Sequence, residues 1–415
     1  MLPVSYDLKN KEPHFKGNPA INLASYLDER VLLGKAVLDI VAFDTPQIIM
    51  ANNPQERREK FNKVSFSFAL GYLSPLVTLP LTNRLGMKHI AKLTKSFKSK
   101  DASLIRISNK YLVNAEETRK GVEKLSKDLK TDYSSILKTV GGDYEKLRKK
   151  LINAKNAVLS FDLFFTTASI GSIGFFNNWQ TKKKTKQDGY SAEFNMADKN
   201  IVEKRAESFK KKEPLRKAIW LTMLAALTAF PLLLKKGLTS QNASSFNNYI
   251  KKISPKFDYI DGIFISRLPF FMSAVGFYSG LILASRNKTE LKDTTIRNSV
   301  SAAGYFGGDI LIGSVLGRLS DKFLKTNLMK TDIEKSLLNK LIPPTKPLRE
   351  LEGKNKAIGA ALYWLNLAML SASLGFGVPY LINKMIKNDV KQSIDEHTAT
   401  RKLVSIEDFG KKAAK

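Results

Sequence analysis

The residues of this chain that could do chemistry are charges and amides set inside apolar runs. Asp162 lies in LSFDLFF, Asp309 in GYFGGDILIGSVLG and Asn366 in YWLNLAML, while Arg267 stands at the entry to LPFFMSAVGFYSG. Lys35 and Asp39 occupy VLLGKAVLDIVAF, four residues apart. An unpaired charge at the centre of a hydrocarbon layer costs at least about 2.5–3.5 kcal/mol, so such residues pair with one another or line a wet path. A turn between Ser285 and Glu290 would put Arg267 and Asp309 at similar heights on antiparallel helices, which predicts an ion pair. Lys35 and Asp39 share a helix face and predict a second, self-neutralising pair. Asp162 and Asp309 are the residues expected to line a polar path, with Asn366 beside it and Arg267 as partner of Asp309.

Other chemistries lack their residues. Cysteine is absent, which removes disulfides, thiolate metal sites and cysteine nucleophiles. His14, His89 and His397 are far apart and have no ligand spacing, so neither a metal nor a cofactor is expected. No nucleophile and base stand together, no P-loop is present, and no catalytic residue is assigned; the glycines around Asp309 fail as a nucleotide fingerprint because no strand precedes them. The formal charge of +30 would suit a nucleic-acid binder if it formed one patch, but the basic residues are spread through every connecting segment and no nucleic-acid motif accompanies them. Basic loops on both sides of a membrane instead predict contact with anionic lipid headgroups.

The elements that must position these residues are seven apolar blocks. Ala357 to Ile382 is the longest, 26 residues without a charge, about 39 Å as a helix against a hydrocarbon core of about 30 Å. Val64 to Leu81, Ala157 to Phe176, Ala218 to Leu234, Leu268 to Ala284 and Asn298 to Gly317 are each near the spanning threshold. Val31 to Met50 carries Lys35, Asp39 and Asp44 and reads as amphipathic, at the interface or spanning. The blocks predict an all-α, polytopic helical membrane protein with six or seven transmembrane helices. A mean hydropathy of -0.20 is low for that class because the connecting segments are so polar.

Internal similarity organises the blocks. A shift of 233 places Tyr26, Leu27, Asp28 on Tyr259, Ile260, Asp261, then Ile49 and Ala51 on Ile282 and Ala284, and Gly71, Tyr72 on Gly304, Tyr305. A shift of 204 places Thr167 to Gly171 on Ser371 to Gly375 and Asp162 on Asn366. The matched segments occur in the same order, which predicts a duplicated three-helix unit around a linker helix. Along the chain this gives a polar segment 1–30, a first helical hairpin 31–81, a basic helical extramembrane insertion 82–156, a closing helix 157–176, a basic loop with a helix at 177–217, a linker helix 218–234, a second three-helix repeat 259–382, and a basic polar tail 383–415 expected to be weakly ordered. Asn53, Pro54 and Glu56 mark a helix start directly after the first block.

Small-xxx-small spacing at Gly276 and Gly280, Gly304 and Gly308, and Gly313 and Gly317 predicts close helix packing. In the insertion, Val122, Leu125, Leu129, Tyr133, Ile136 and Val140 fall near helical spacing before a break at Gly141 and Gly142, and Leu85 to Phe97 resembles a membrane-surface helix. The function expected from this layout is a transporter or permease-like membrane protein; the alternative is a non-transporting scaffold that holds lipid or a protein partner on the insertion 82–156.

Overall fold

The computed structural model describes residues 18–29, 31–73, 101–239, 244–260, 264–330 and 342–413. The chain begins with α1 (Pro19–Glu29) and then forms one continuous helical rod from α2 (Val31–Leu38), the π-helical turn π1 (Asp39–Asp44) and α3 (Thr45–Ile49). A tight turn leads to α4 (Pro54–Phe68) and π2 (Ala69–Leu73). The insertion holds α5 (Ala115–Leu129) and α6 (Ser134–Thr139), followed by α7 (Tyr144–Gly171) and α8 (Ile173–Thr185), which are collinear across Ser172. Next come α9 (Lys199–Lys211), α10 (Glu213–Thr239), α11 (Ser245–Ile253), a hairpin of β1 (Tyr259–Ile260) and β2 (Phe264–Ile265), and α12 (Arg267–Leu283). The last two rods are α13 (Lys288–Ala303) with π3 (Gly304–Gly308) and α14 (Asp309–Leu324), and α15 (Gly353–Leu370) with π4 (Ser371–Gly377) and α16 (Val378–Ala413). Extended pairing among the described residues is confined to the β1–β2 hairpin and one bridge, Met329 to Thr345.

Four of these rods, Tyr144–Thr185, Glu213–Thr239, Lys288–Leu324 and Gly353–Ala399, are long and apolar enough to cross a membrane, and α12 supplies a shorter apolar helix. Their surfaces agree with their composition. Leu221, Leu232 and Leu233 on α10, Leu311, Val315 and Leu319 on α14, and Leu365 and Met369 on α15 all point outward. Rows of large aliphatic side chains are thus exposed on the helices long and apolar enough to cross a membrane. The Val64–Leu81 block continues helically to Leu73; the rest of it, and Leu85–Phe97, fall outside the described residues.

The chain forms two compact units. The first comprises residues 1–50 and 299–381. Here α1 lies on α15, α14 packs along α15, and π1 packs against π4. Its core contains Ala24, Leu328, Leu348, Leu351 and Ala360 at one end and Leu38, Ala42, Phe43 and Leu370 farther along. A side chain on Gly375 would run into the Ala42 carbonyl, so only glycine lets π4 come this close to π1.

The second unit comprises residues 51–298 and 382–415, with α7 at its centre against α10 and α12, and α4 against α8. Its insertion has a core of its own, built on Leu104, Ile107, Leu112, Val122, Tyr133 and Ile136 with Leu147 and Leu151 of α7. The apolar run from Val122 to Val140 is two helices: Lys130 takes a left-handed conformation (φ 47°) that ends α5, and the Asp132 carboxylate accepts the Ser134 N–H at 2.9 Å to start α6. Gly141 and Gly142 follow with positive φ of 67° and 75°, and Asp143 caps α7 by accepting from the Glu145 and Lys146 N–H groups.

The tail departs from its expectation of weak order. Residues after Lys387 continue as α16, because Ile382, Ile386 and Val390 form a buried stripe at helical spacing that the many charges around it conceal.

The glycines predicted to pack do so unequally. A Cβ on Gly276 would meet Leu227 and Thr167 at 2.5 Å, one on Gly280 the Gly171 carbonyl at 2.7 Å, one on Gly304 Leu374 at 2.5 Å, and one on Gly317 the Met329 sulfur at 2.7 Å. Gly308 and Gly313 have room for a methyl group, their nearest neighbours being 3.4 and 3.7 Å away.

Candidate functional site: an ion pair within the apolar helices

In the first unit, three helices bring Lys35, Tyr305, Asp309 and Asn366 together. Lys35 reaches from α2 and donates to Asp309 Oδ2 at 2.7 Å and to the main-chain carbonyl of Tyr305 at 2.6 Å. Its ammonium also stands 4.7 Å from the centroid of the Tyr305 ring, within cation–π range. Tyr305 belongs to π3, whose carbonyl at this position accepts from the Lys35 side chain of another helix. Asn366, on α15, donates its amide to the main-chain carbonyl of Asp309 at 2.9 Å. Asp309 lies near the middle of the Asn298–Gly317 block, so the cluster sits well inside an apolar segment. Asp309 Oδ1 and Asn366 Oδ1 are buried and accept no hydrogen bond from the protein.

Lys35 thus reaches a carboxylate 274 positions away as well as having Asp39 one turn along its own helix. Asp39 opens π1 and is half-buried. Arg267 is the first residue of α12, and its side chain, with the expected pairing to Asp309, lies outside the described residues. Asp162 is buried at the middle of α7, in the second unit.

A second polar cluster escaped the sequence reading. It occupies the second unit where the turn before α4, the turn before α13, the end of α8 and the start of α16 meet. Arg286 grips Glu59 with both terminal nitrogens, at 3.0 and 2.9 Å, and Glu290 at 2.8 and 3.0 Å. Glu59 also accepts from the hydroxyls of Ser191, at 2.6 Å, and Thr181. Glu193, fully buried, accepts from Arg205 and Asn287, each at 3.0 Å. Arg205 continues to Thr289 at 2.6 Å and to the Asp389 carbonyl at 2.9 Å. Asp293 takes Arg297 at 2.7 Å and the Tyr190 hydroxyl.

Burial alone would raise the Glu59 pKa, but the Arg286 charge and its hydrogen bonds outweigh it and hold the carboxyl below its ordinary range. Burial would likewise lower Arg286, and its two glutamates instead hold it well above the usual value. Burial, then the Asp293 charge, pushes the Tyr190 phenol well up. Lys60 falls below its usual value because burial and the neighbouring Arg297 charge oppose its ionisation more than Glu56 supports it.

Two matching turns organise this cluster. Asn53 Oδ1 accepts the Glu56 N–H at 2.9 Å while Glu56 accepts the Asn52 N–H at 2.6 Å. Asn287 Oδ1 accepts the Glu290 N–H at 2.8 Å while Glu290 accepts the Arg286 N–H at 2.5 Å. Both are variants of the capping box in which the glutamate reaches the N–H of the residue before the cap. The N-x-x-E spacing of NNPQE and RNKTE was the sequence signal, whereas the Glu59–Arg286 pair, 227 positions apart, had none.

No protein-family model, curated protein or solved structure matches the chain. Its class therefore rests on its own fold: a helical protein with four helices long and apolar enough to cross a membrane.

Proposed function

We propose that this is a multi-pass membrane protein of transporter or permease type, with Lys35, Asp309 and Asn366 on its polar path and Asp162, the residue aligned with Asn366, on the path in the other half. The observation that carries the reading is the Lys35–Asp309 pair with Asn366 in the middle of otherwise apolar helices. Charge at that depth is expensive, and function is the usual reason for keeping it.

The underlying architecture is two copies of a three-helix unit. Its support is a pair of equivalent contacts. The shift of 233 relates Gly71 to Gly304, and the shift of 204 relates Ile170 to Leu374; a Cβ added to Gly71 would lie 3.7 Å from Ile170 and one added to Gly304 2.5 Å from Leu374. Each copy also starts its second helix from the same capping box and continues it into a π turn, π2 in one and π3 in the other. Because both capping boxes join one ionic network, their turns lie at the same end of the bundle. This supports parallel copies, with α10 as an odd linker span and seven spans in all. The basic connecting segments rest on anionic lipid headgroups, and the insertion, with its own core, offers a surface to a protein partner; that folded insertion is also what favours the scaffold alternative.

Reconstitution in proteoliposomes tests the transport reading, with proton, sodium and potassium flux followed by ion-sensitive dyes and amino acids and sugars added in turn. Flux is expected, and it is expected to be lost in Asp309→Asn and Asp162→Asn. Flux that both variants leave unchanged would remove these residues from the path.

A further inference from the structure

Between Glu213 and Asp258 the chain holds no acidic residue, and five lysines gather toward the end of that stretch. Lys235 and Lys236 close the apolar run of α10, Lys251 and Lys252 lie in the last turn of α11, and Lys256 follows. Lys236, Lys252 and Lys256 are exposed, and among the described residues none of the five meets a carboxylate. Asp258, the next acid along the chain, is taken by Lys155 at 2.7 Å.

Among these charges α11 carries an apolar stripe wider than its core contact. Phe246, Tyr249, Ile250 and Ile253 recur at helical spacing. Ile250 and Ile253 pack with Leu234 and Phe257, whereas Phe246 and Tyr249, at the outer edge of the stripe, are 53% and 62% exposed. The surface is held in place from behind: the Asn109 amide donates to the Ser254 carbonyl at 3.2 Å and the Phe257 carbonyl at 2.5 Å, tying the end of α11 to the insertion.

The level of α11 follows from α10. The charge-free stretch of α10 runs from Lys217 to Lys235, about 27 Å along the axis, close to a hydrocarbon thickness of about 30 Å. Just beyond Lys235, a Cβ on Gly237 would run into Ile250, so α11 meets α10 where hydrocarbon gives way to headgroups. We propose that α11 and the adjoining end of α10 form a docking surface for anionic phospholipid of the surrounding bilayer. The phosphates meet Lys235, Lys236, Lys252 and Lys256, and the rings of Phe246 and Tyr249 enter the headgroup layer. Amphipathic rings settle at that layer, lysine stems reach it, and an acid-free set of lysines favours anionic over zwitterionic headgroups. This inference rests on α10 spanning the bilayer and is independent of transport.

The chain has no cysteine, so one introduced cysteine carries one fluorophore. The full chain is reconstituted in vesicles of equal parts phosphatidylcholine and phosphatidylglycerol, one of the two lipids being brominated at a time, either near the headgroup or near the chain end. A label at Ala226→Cys, exposed midway along the charge-free stretch of α10, is expected to be quenched best by bromines near the chain end. Labels at Phe246→Cys and Tyr249→Cys are expected to be quenched best by bromines near the headgroup. There, brominated phosphatidylglycerol should associate about fivefold more strongly than brominated phosphatidylcholine, the factor that one lysine near an anionic surface supplies. Lys236→Gln, Lys252→Gln and Lys256→Gln together should make the two lipids equal at Tyr249→Cys and leave the Ala226→Cys signal unchanged, while arginine at the same three positions should keep the preference. Labels at Phe246→Cys and Tyr249→Cys that no brominated lipid quenches, with Ala226→Cys quenched, overturn the lipid surface, keep the membrane reading and leave this face to a protein partner. Equal quenching by the two lipids in the otherwise native chain, or a preference that the glutamine variant retains, also overturns it. A label at Ala226→Cys that no lipid reaches removes the membrane reading, and this inference with it.

Discussion

The two polar clusters solve the cost of buried charge in different ways. In the second unit, Arg286 meets two glutamates, one of them also held by two hydroxyls, and the network continues through Glu193, Arg205 and Asp293. In the first unit, one lysine meets one aspartate, and two buried acceptors have no protein donor. A densely bonded network fixes the ends of helices. An ion pair with spare oxygens can exchange one partner for another. The difference fits a structural role for the Arg286 network and supports the working role proposed for the Lys35–Asp309 pair.

The sharpest way to break this contrast is to remove one partner from each. Arg286→Met leaves Glu59 and Glu290 buried without their cation and is expected to cost about 3–5 kcal/mol, seen as a large drop in the thermal midpoint. Adding Glu59→Gln should restore little of it, because Glu290 stays uncompensated. The carboxyl of Glu59 is held below its ordinary pKa of 4.5, so the stability it contributes is present above that pH and is lost as acid protonates the folded state. The native chain should therefore lose this increment on acidification, while a Glu59→Gln chain has none of it left to lose.

Asp309→Asn should have a smaller effect on the midpoint, about 2.5 kcal/mol from the stranded Lys35 ammonium. Here the double variant with Lys35→Met should recover most of the loss, since it removes the stranded ammonium. A double variant as unstable as the single one would place Asp309 in a network like that of Arg286 and end the distinction.

The smallest effects belong to the paired capping boxes. Asn53→Ala and Asn287→Ala should each cost about 1 kcal/mol for the lost cap, and Asn53→Ala somewhat more, since Asn53 also donates to the Ser191 carbonyl at 2.7 Å. Equal costs would show that the link to Ser191 contributes little to the network.

The legible part of the fold was local. Asn53 with Glu56 announced a helix start, Gly141 with Gly142 a break, and the long uncharged block at Ala357–Ile382 a rod, because caps, turns and hydrophobic length act over a few residues. The C-terminal helix was missed because its buried stripe, Ile382, Ile386 and Val390, is diluted by charges that face outward. Asp309 and Asn366 drew attention for being polar in apolar runs.

Sequence alone determined that the chain is helical, where its long apolar rods run and which of its charges are misplaced by ordinary rules. Tertiary structure decided what those charges meet. Lys35 had a carboxylate one turn away at Asp39 and reaches Asp309 on another helix, and Glu59 reaches Arg286 across 227 positions. Electrostatic partnership depends on distances of a few ångströms in space. Helical periodicity fixes such distances along one rod, and only the packing of rods against one another fixes them between rods.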